Sequence, residues 1–313
     1  MVYGKPQILI ALGSPSDIGI LKGINYPSSA EFYQGIASAH RTEDVVAEFA
    51  KKPWDAIIAG AGYVNALANA YKGANFLSPR TLVFGLPIWN DDAIANAASF
   101  FSSHVTPPGV PIAYGQTINF AVGAAARLTS RNFKNISILS EEDGPYSEPR
   151  KERIKGACAE IKRNLDSLQI DHTSLSLDEI EQSALDDLLI TIGLTQRSSG
   201  QLRKSREAKM AGNQLCGYMT NQQYSGATVL VSIDNEPAAA IEDVISLSSG
   251  LENYLNKVRD AIPALIFHSP KNLALFAAQV LARDNKELES RLRIEFEKQR
   301  EKYNAHKELV KLN

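Results

Sequence analysis

The chain has 313 residues, 44% of them apolar, and a formal net charge of −2. That length allows one large domain or two of ordinary size with full cores, and the charge balance argues against a nucleic-acid-binding surface. Cys158 and Cys216 lie far apart at no metal spacing, no basic leader precedes an apolar stretch, and no run of eighteen apolar residues suggests a membrane span, so reduced thiols and a cytoplasmic protein are expected.

Apolar runs at 7–12, 32–37, 56–59, 81–85 and 110–114 read as strands. Helical patterns lie between or after them at 43–51, 91–101 and 119–128. Short apolar strands alternating with helices predict an α/β fold with a parallel sheet covered on both faces.

The second half repeats the plan. Thr228 to Ile241 echoes Thr81 to Ile94, Ala261 to Leu265 echoes Gly109 to Ala113, and Lys271 to Leu281 echoes Ile118 to Leu128. Three matches in one order predict a tandem duplication, with domains at 1–131 and 132–313. Strands are expected at 136–139, 188–192 and 229–233, and 197–224 reads as an insertion of loop or short helix. The charged stretch 283–313 reads as a helix with Leu288, Leu292, Phe296 and Tyr303 scattered along it, mostly a solvated face.

Two segments carry the chemistry, each at the carboxyl end of an expected strand, where open α/β sheets bind ligands. Gly13-Ser14-Pro15-Ser16-Asp17 offers backbone N–H groups, two hydroxyls and a carboxylate, suited to a phosphate or a ribose; Ser16 or Asp17 could equally be a plain helix N-cap. Ser38-Ala39-His40-Arg41-Thr42 adds an imidazole that titrates near neutrality and a guanidinium able to hold a phosphate. Gly60-Ala61-Gly62 lacks a third glycine, since Asn65 stands in its place, and no acidic residue ends the next strand; a close approach of backbone to ligand suits these glycines better than a dinucleotide fingerprint. His104, His172, His268 and His306 have no partners at ligand spacing, and neither a Gly-x-Ser-x-Gly elbow nor a Walker loop is present.

Taken in order, Gly13 to Asp17, Ser38 to Thr42, Ile57 to Gly62 and Pro108-Gly109-Val110-Pro111 resemble the PurE family, the 5-(carboxyamino)imidazole ribonucleotide mutases and aminoimidazole ribonucleotide carboxylases of purine synthesis. The resemblance covers residues 7 to 128 and is faint beyond. It implies a flavodoxin-like three-layer domain, repeated in the second half and followed by a C-terminal helix, with no metal or organic cofactor. It also implies a nucleotide substrate met by Ser14, Ser16 and Asp17, a phosphate held by Ser38 and Arg41, an imidazole against Gly62, and His40 as the acid–base group. Family octamers with pockets between subunits imply a homotetramer of two-lobed chains, with sites in the first repeat alone.

This chain departs from the family at the glycine loop. Bacterial mutases commonly read Gly-Gly-Ala-Ala-His-Leu-Pro-Gly and animal-type carboxylases Gly-Arg-Ser-Asn-Gly-Leu; here Gly62-Tyr63-Val64-Asn65-Ala66-Leu67 matches neither. In the second copy Ser140-Glu141-Glu142-Asp143-Gly144 replaces the serine motif. Aligning Asp178 to Ile180 with Glu43 to Val45 sets Leu175 and Ser176 against His40 and Arg41, with His172 three positions away near a helix start. A catalytically silent half is expected.

Overall fold

The computed structural model describes residues 4–38, 44–62, 66–76, 78–104, 106–115, 117–130, 132–140, 148–176, 179, 188–192, 228–231, 265–267 and 269–304. His40, Arg41, Cys216, His268, His306 and the expected insertion 197–224 lie outside them.

The apolar runs of the first half form β1 (Gln7–Leu12), β2 (Glu31–Ile36), β3 (Ala56–Ala61), β4 (Leu82–Pro87) and β5 (Ala113–Gly115). They lie parallel in the order β2-β1-β3-β4-β5. The second half supplies β6 (Ile136–Ser140), β7 (His172–Leu175), β8 (Leu188–Ile192), β9 (Thr228–Val231) and β10 (Leu265–Ile266), parallel in the corresponding order β7-β6-β8-β9-β10. β5 and β10 pair antiparallel, with Leu265 opposite Gly115, and fuse both sets into one ten-stranded sheet. The fold class is flavodoxin-like α/β.

Crossovers between parallel strands need helices, and the described ones are α1 (Val45–Ala50), α2 (Leu67–Ala74), α3 (Ala93–His104), α4 (Ile118–Ser130), α5 (Glu148–Ser167), α6 (Pro270–Ala282) and α7 (Lys286–Asn304). Their starts follow local chemistry: the Asp44 carboxylate accepts from Ala47 N at 3.0 Å, and Ser269 caps α6 with Pro270 behind it. β1, β3 and β4 are buried on both faces, whereas β2 at the sheet edge is largely exposed. Ile8, Ile10 and Leu12 enter one apolar layer, while Leu9 and Ala11 enter the other.

The first of these layers runs under both halves. It joins Phe84 of β4 and Phe120 of α4 to Ile136 of β6, Ile161 of α5, and Phe276 of α6. Phe84 and Phe276 meet edge-on with ring centroids 5.7 Å apart. α7 also joins this layer: most of its surface is solvated, as expected, but one stripe is not. Leu288, Leu292 and Phe296 recur every fourth residue, which makes a stripe on one helix face, and all three are buried.

Two other expectations shift. The fifth strand begins at Ala113 and not at 110, because Pro107 to Val110 close a turn (Val110 N to Pro107 O, 3.1 Å) and Pro111 has no N–H for a ladder. His172 opens a strand, not a helix: it pairs in register with Ile136 as Phe32 does with Ile8, and its Nε2 lies 3.0 Å from Asp166 Oδ1. With Ile136 set against Ile8, Leu175 falls opposite Gly35 of the first half, so it does not stand in for His40. Among the described residues no helix is long and apolar enough to cross a membrane.

Candidate active site

The carboxyl ends of four adjacent strands are tied together by their backbones. Gly13 N donates to Gly60 O at 2.9 Å, Ala37 N to Leu12 O at 2.8 Å, and Ile88 N to Ala61 O at 3.1 Å. The loops that follow β1, β2, β3 and β4 therefore leave the sheet side by side. Ser14, Ser16 and Asp17 come from the first, Ser38 from the second and Gly62 from the third.

After Gly13 the chain turns into a 3-10 segment, Pro15–Leu21, and its N-cap is Ser14, not Ser16 or Asp17, the residues offered as alternative caps. Ser14 Oγ accepts from Ser16 N at 3.2 Å and lies 2.8 Å from Ser16 Oγ, so the two hydroxyls sit together at the exposed mouth of the turn. Gly13 itself is held close: a Cβ there would stand 3.1 Å from Ala61 Cβ. Burial raises the Asp17 carboxyl above its usual range, with a backbone hydrogen bond at Ser14 working the other way.

Gly62 meets the serine turn. A Cβ at Gly62 would lie 3.6 Å from Asp17 Oδ1 and 3.6 Å from Asn90 Nδ2, which is ordinary contact with no clash. The bare glycine thus leaves an open floor between a carboxylate and an amide.

Asn90 is the residue that sequence reasoning missed. It follows β4, in a stretch that the sequence presents as part of the internal repeat, just ahead of the helical pattern beginning at Asp91. Its place just past the end of a strand was the available signal. Asn90 Nδ2 donates to Gly62 O at 3.0 Å, and its Oδ1 accepts from Asp92 N at 2.8 Å. Asn96 of α3 grips its backbone from both sides, accepting from Asn90 N at 2.8 Å and donating to Asn90 O at 2.7 Å. Ser99 Oγ donates to Ala61 O at 2.6 Å and fixes α3 to the end of β3. A network of this kind holds a loop in one shape before any ligand arrives.

Geometry thus assembles Ser14, Ser16, Asp17, Gly62 and Asn90, with Ser38 one strand away. Hydroxyls and a carboxylate beside bare backbone suit a hydroxylated, phosphorylated small molecule. Among the described residues no group of three His, Cys, Asp or Glu side chains could hold a metal ion.

Residues 7–139 match the model of the AIR carboxylase family. This part of the chain belongs to that family. The AIR carboxylase domain therefore spans the first five strands, runs into β6 and contains every one of these site residues. No curated protein matches the chain. Among solved structures it is similar to PH0766 from Pyrococcus horikoshii OT3, at 12% identity and a TM-score of 0.30, over 92% of this chain and 66% of that one. It is also similar to an ABC transporter periplasmic solute-binding protein from Actinobacillus succinogenes 130z with bound D-allose, at 14% identity and a TM-score of 0.24, over 84% and 95% of the two chains. At those scores neither likeness bears on what this chain does.

Proposed function

We propose that the AIR carboxylase domain acts in purine synthesis as a mutase, converting 5-(carboxyamino)imidazole ribonucleotide to 4-carboxy-5-aminoimidazole ribonucleotide. The observation that carries the reading is the meeting of Asp17, Gly62 and Asn90 at adjoining strand ends inside the segment that matches the family. In this reading the ribose and phosphate lie along Ser14, Ser16, Asp17, Ser38 and Arg41. The flat imidazole lies on the open floor at Gly62, with Asn90 fixing that floor.

His40 is the acid–base group. The bond from the exocyclic nitrogen to its carboxylate carbon breaks, carbon dioxide is released, and the nitrogen takes a proton from His40. Ring carbon 4 then attacks the carbon dioxide, and His40 recovers its proton from that carbon. The group ends as it began, and a pocket closed to water keeps the carbon dioxide in place.

Ala66, where the bacterial mutases have a second histidine, favours one alternative: direct carboxylation of aminoimidazole ribonucleotide. Supplying the purified protein with the carboxyamino nucleotide, and separately with aminoimidazole ribonucleotide plus bicarbonate, distinguishes the two. Product from the first substrate alone supports the mutase. Product only from the second makes the protein a carboxylase.

The shared strand order supports a tandem duplication in which the second half is catalytically silent. We place the enzyme in the cytoplasm as a homotetramer of eight lobes. Light scattering that finds an active monomer would contradict the assembly.

A further inference from the structure

α2 begins at Leu67, five residues after Gly62. Its first face packs on the sheet through Ala68 and Tyr71. The far end of α2 is gripped by the second half. Lys72 is fully buried, and its Nζ donates to Gln279 Oε1 of α6 at 3.3 Å while lying 5.2 Å from the Phe296 ring of α7. Phe76, two residues past α2, has its ring centroid 5.2 Å from that of Phe296.

The chain leading on into β4 is held by the same two helices. Gln279 Nε2 donates to Pro79 O at 2.9 Å, Arg80 Nε pairs with Glu289 Oε2 at 3.0 Å, and Arg80 Nη2 donates to Arg283 O at 2.9 Å. Arg283 in turn bonds Asp55 Oδ1 at 2.7 Å and Thr129 O at 3.1 Å, at the amino end of β3 and the carboxyl end of α4. Gly109, at φ +95°, is covered by Gln299 of α7, and its N–H donates to Asn272 Oδ1 at 2.6 Å.

We infer that α6 and α7 are a brace for the candidate site, with Phe296 and Gln279 acting as positioning residues that hold α2 and the chain entering β4 against the strands that carry Gly62 and Asn90. The second half thereby contributes to the chemistry of the first without supplying a group that touches substrate. A two-turn helix is stiff, so gripping its carboxyl end fixes its amino end. Small displacements at a reacting site cost large factors in rate. Only the activity arm of the test below rests on the proposed function.

The test uses the full chain carrying Phe296→Ala, with Phe296→Leu as the conservative variant. Hydrogen exchange is read without substrate. Amides of residues 66–76 should exchange about tenfold faster or more in Phe296→Ala, while those of β1 and β3 keep their protection and Phe296→Leu stays near the parent. With substrate, turnover should fall about tenfold or more in Phe296→Ala and recover in Phe296→Leu. Unchanged exchange in 66–76, or equal acceleration across the whole first half, would overturn the brace. A parent protein without turnover would defeat the functional reading but leave the exchange result standing on its own.

Discussion

β1 and β6 hold the same place in their halves, yet the sequences that follow them differ. β1 ends against Gly60 and turns at once into the paired hydroxyls of Ser14 and Ser16, with Asp17 beside Gly62. β6 ends at Ser140, and the sequence continues with Glu141-Glu142-Asp143-Gly144, which lie outside the described residues. Behind those ends the halves agree: Ile8 and Ile10, like Ile136 and Ile138, point into one apolar layer. Packing constrains what is buried, and chemistry constrains only the few polar residues past the strand ends. A lobe can therefore keep its topology while the polar residues past its strand ends change.

The sharpest way to break that contrast is at His40. We expect His40→Asn to lower turnover by about 10²–10⁴ while leaving nucleotide affinity within about tenfold. Steady-state kinetics and calorimetry on the same preparation check both parts, and near-normal turnover would remove His40 from the mechanism.

Next is the shared core. Phe276 is fully buried between Phe84 of the first half and Phe267 of the second. Phe276→Ala should cost about 3–5 kcal/mol, and denaturant unfolding should show both halves losing structure together. Two well-separated transitions would mean that the halves are independent units.

Arg41→Ala should weaken nucleotide binding by about 1.5–3 kcal/mol, the scale of a charge-assisted contact, with turnover at saturation affected far less. Unchanged affinity would show that Arg41 points elsewhere.

The smallest effect is a pH dependence at Lys72. Burial lowers its ammonium from 10.5 to about 7, and among the described residues no carboxylate pairs with it. Below pH 7 both folded and unfolded chains carry the proton, so the burial penalty is complete and flat. Between about 7 and 10.5 the unfolded chain holds more protons, and stability rises with pH by at most ~1.4 kcal/mol per unit. Lys72→Met should abolish that rise in melts between pH 7 and 9. A parent protein whose stability is flat over that range would show that the amine is charged in its burial site.

Much of this was legible in the residues, for reasons that differ by element. Strands buried on both faces announce themselves as unbroken apolar runs, and β1 was bounded to the residue. β5 was not, because Val110 and Ile112 look like strand residues while Pro111 between them cannot bond a neighbour. The apolar residues of α7 are visible in the sequence, but amid so much Glu, Lys and Arg their four-residue spacing reads as scatter and not as one buried face. Ser14, Ser16, Asp17 and Gly62 stand out because hydroxyls, a carboxylate and glycine cluster just past strand ends, although Ser14 also has the structural use of an N-cap. Asn90 did not, since Asn-Asp-Asp before a helix reads as capping, and Asp92 does cap α3 through Ile94 N and Ala95 N. Only proximity in space reveals that Asn90 also bonds Gly62 O.

The central claim, a nucleotide site confined to the first half that moves a carboxylate, is tested most directly by giving the purified full-length protein 5-(carboxyamino)imidazole ribonucleotide and measuring product and bound nucleotide together. The account predicts formation of 4-carboxy-5-aminoimidazole ribonucleotide and one nucleotide bound per chain. No product above the spontaneous rate, or two nucleotides bound per chain, would contradict it.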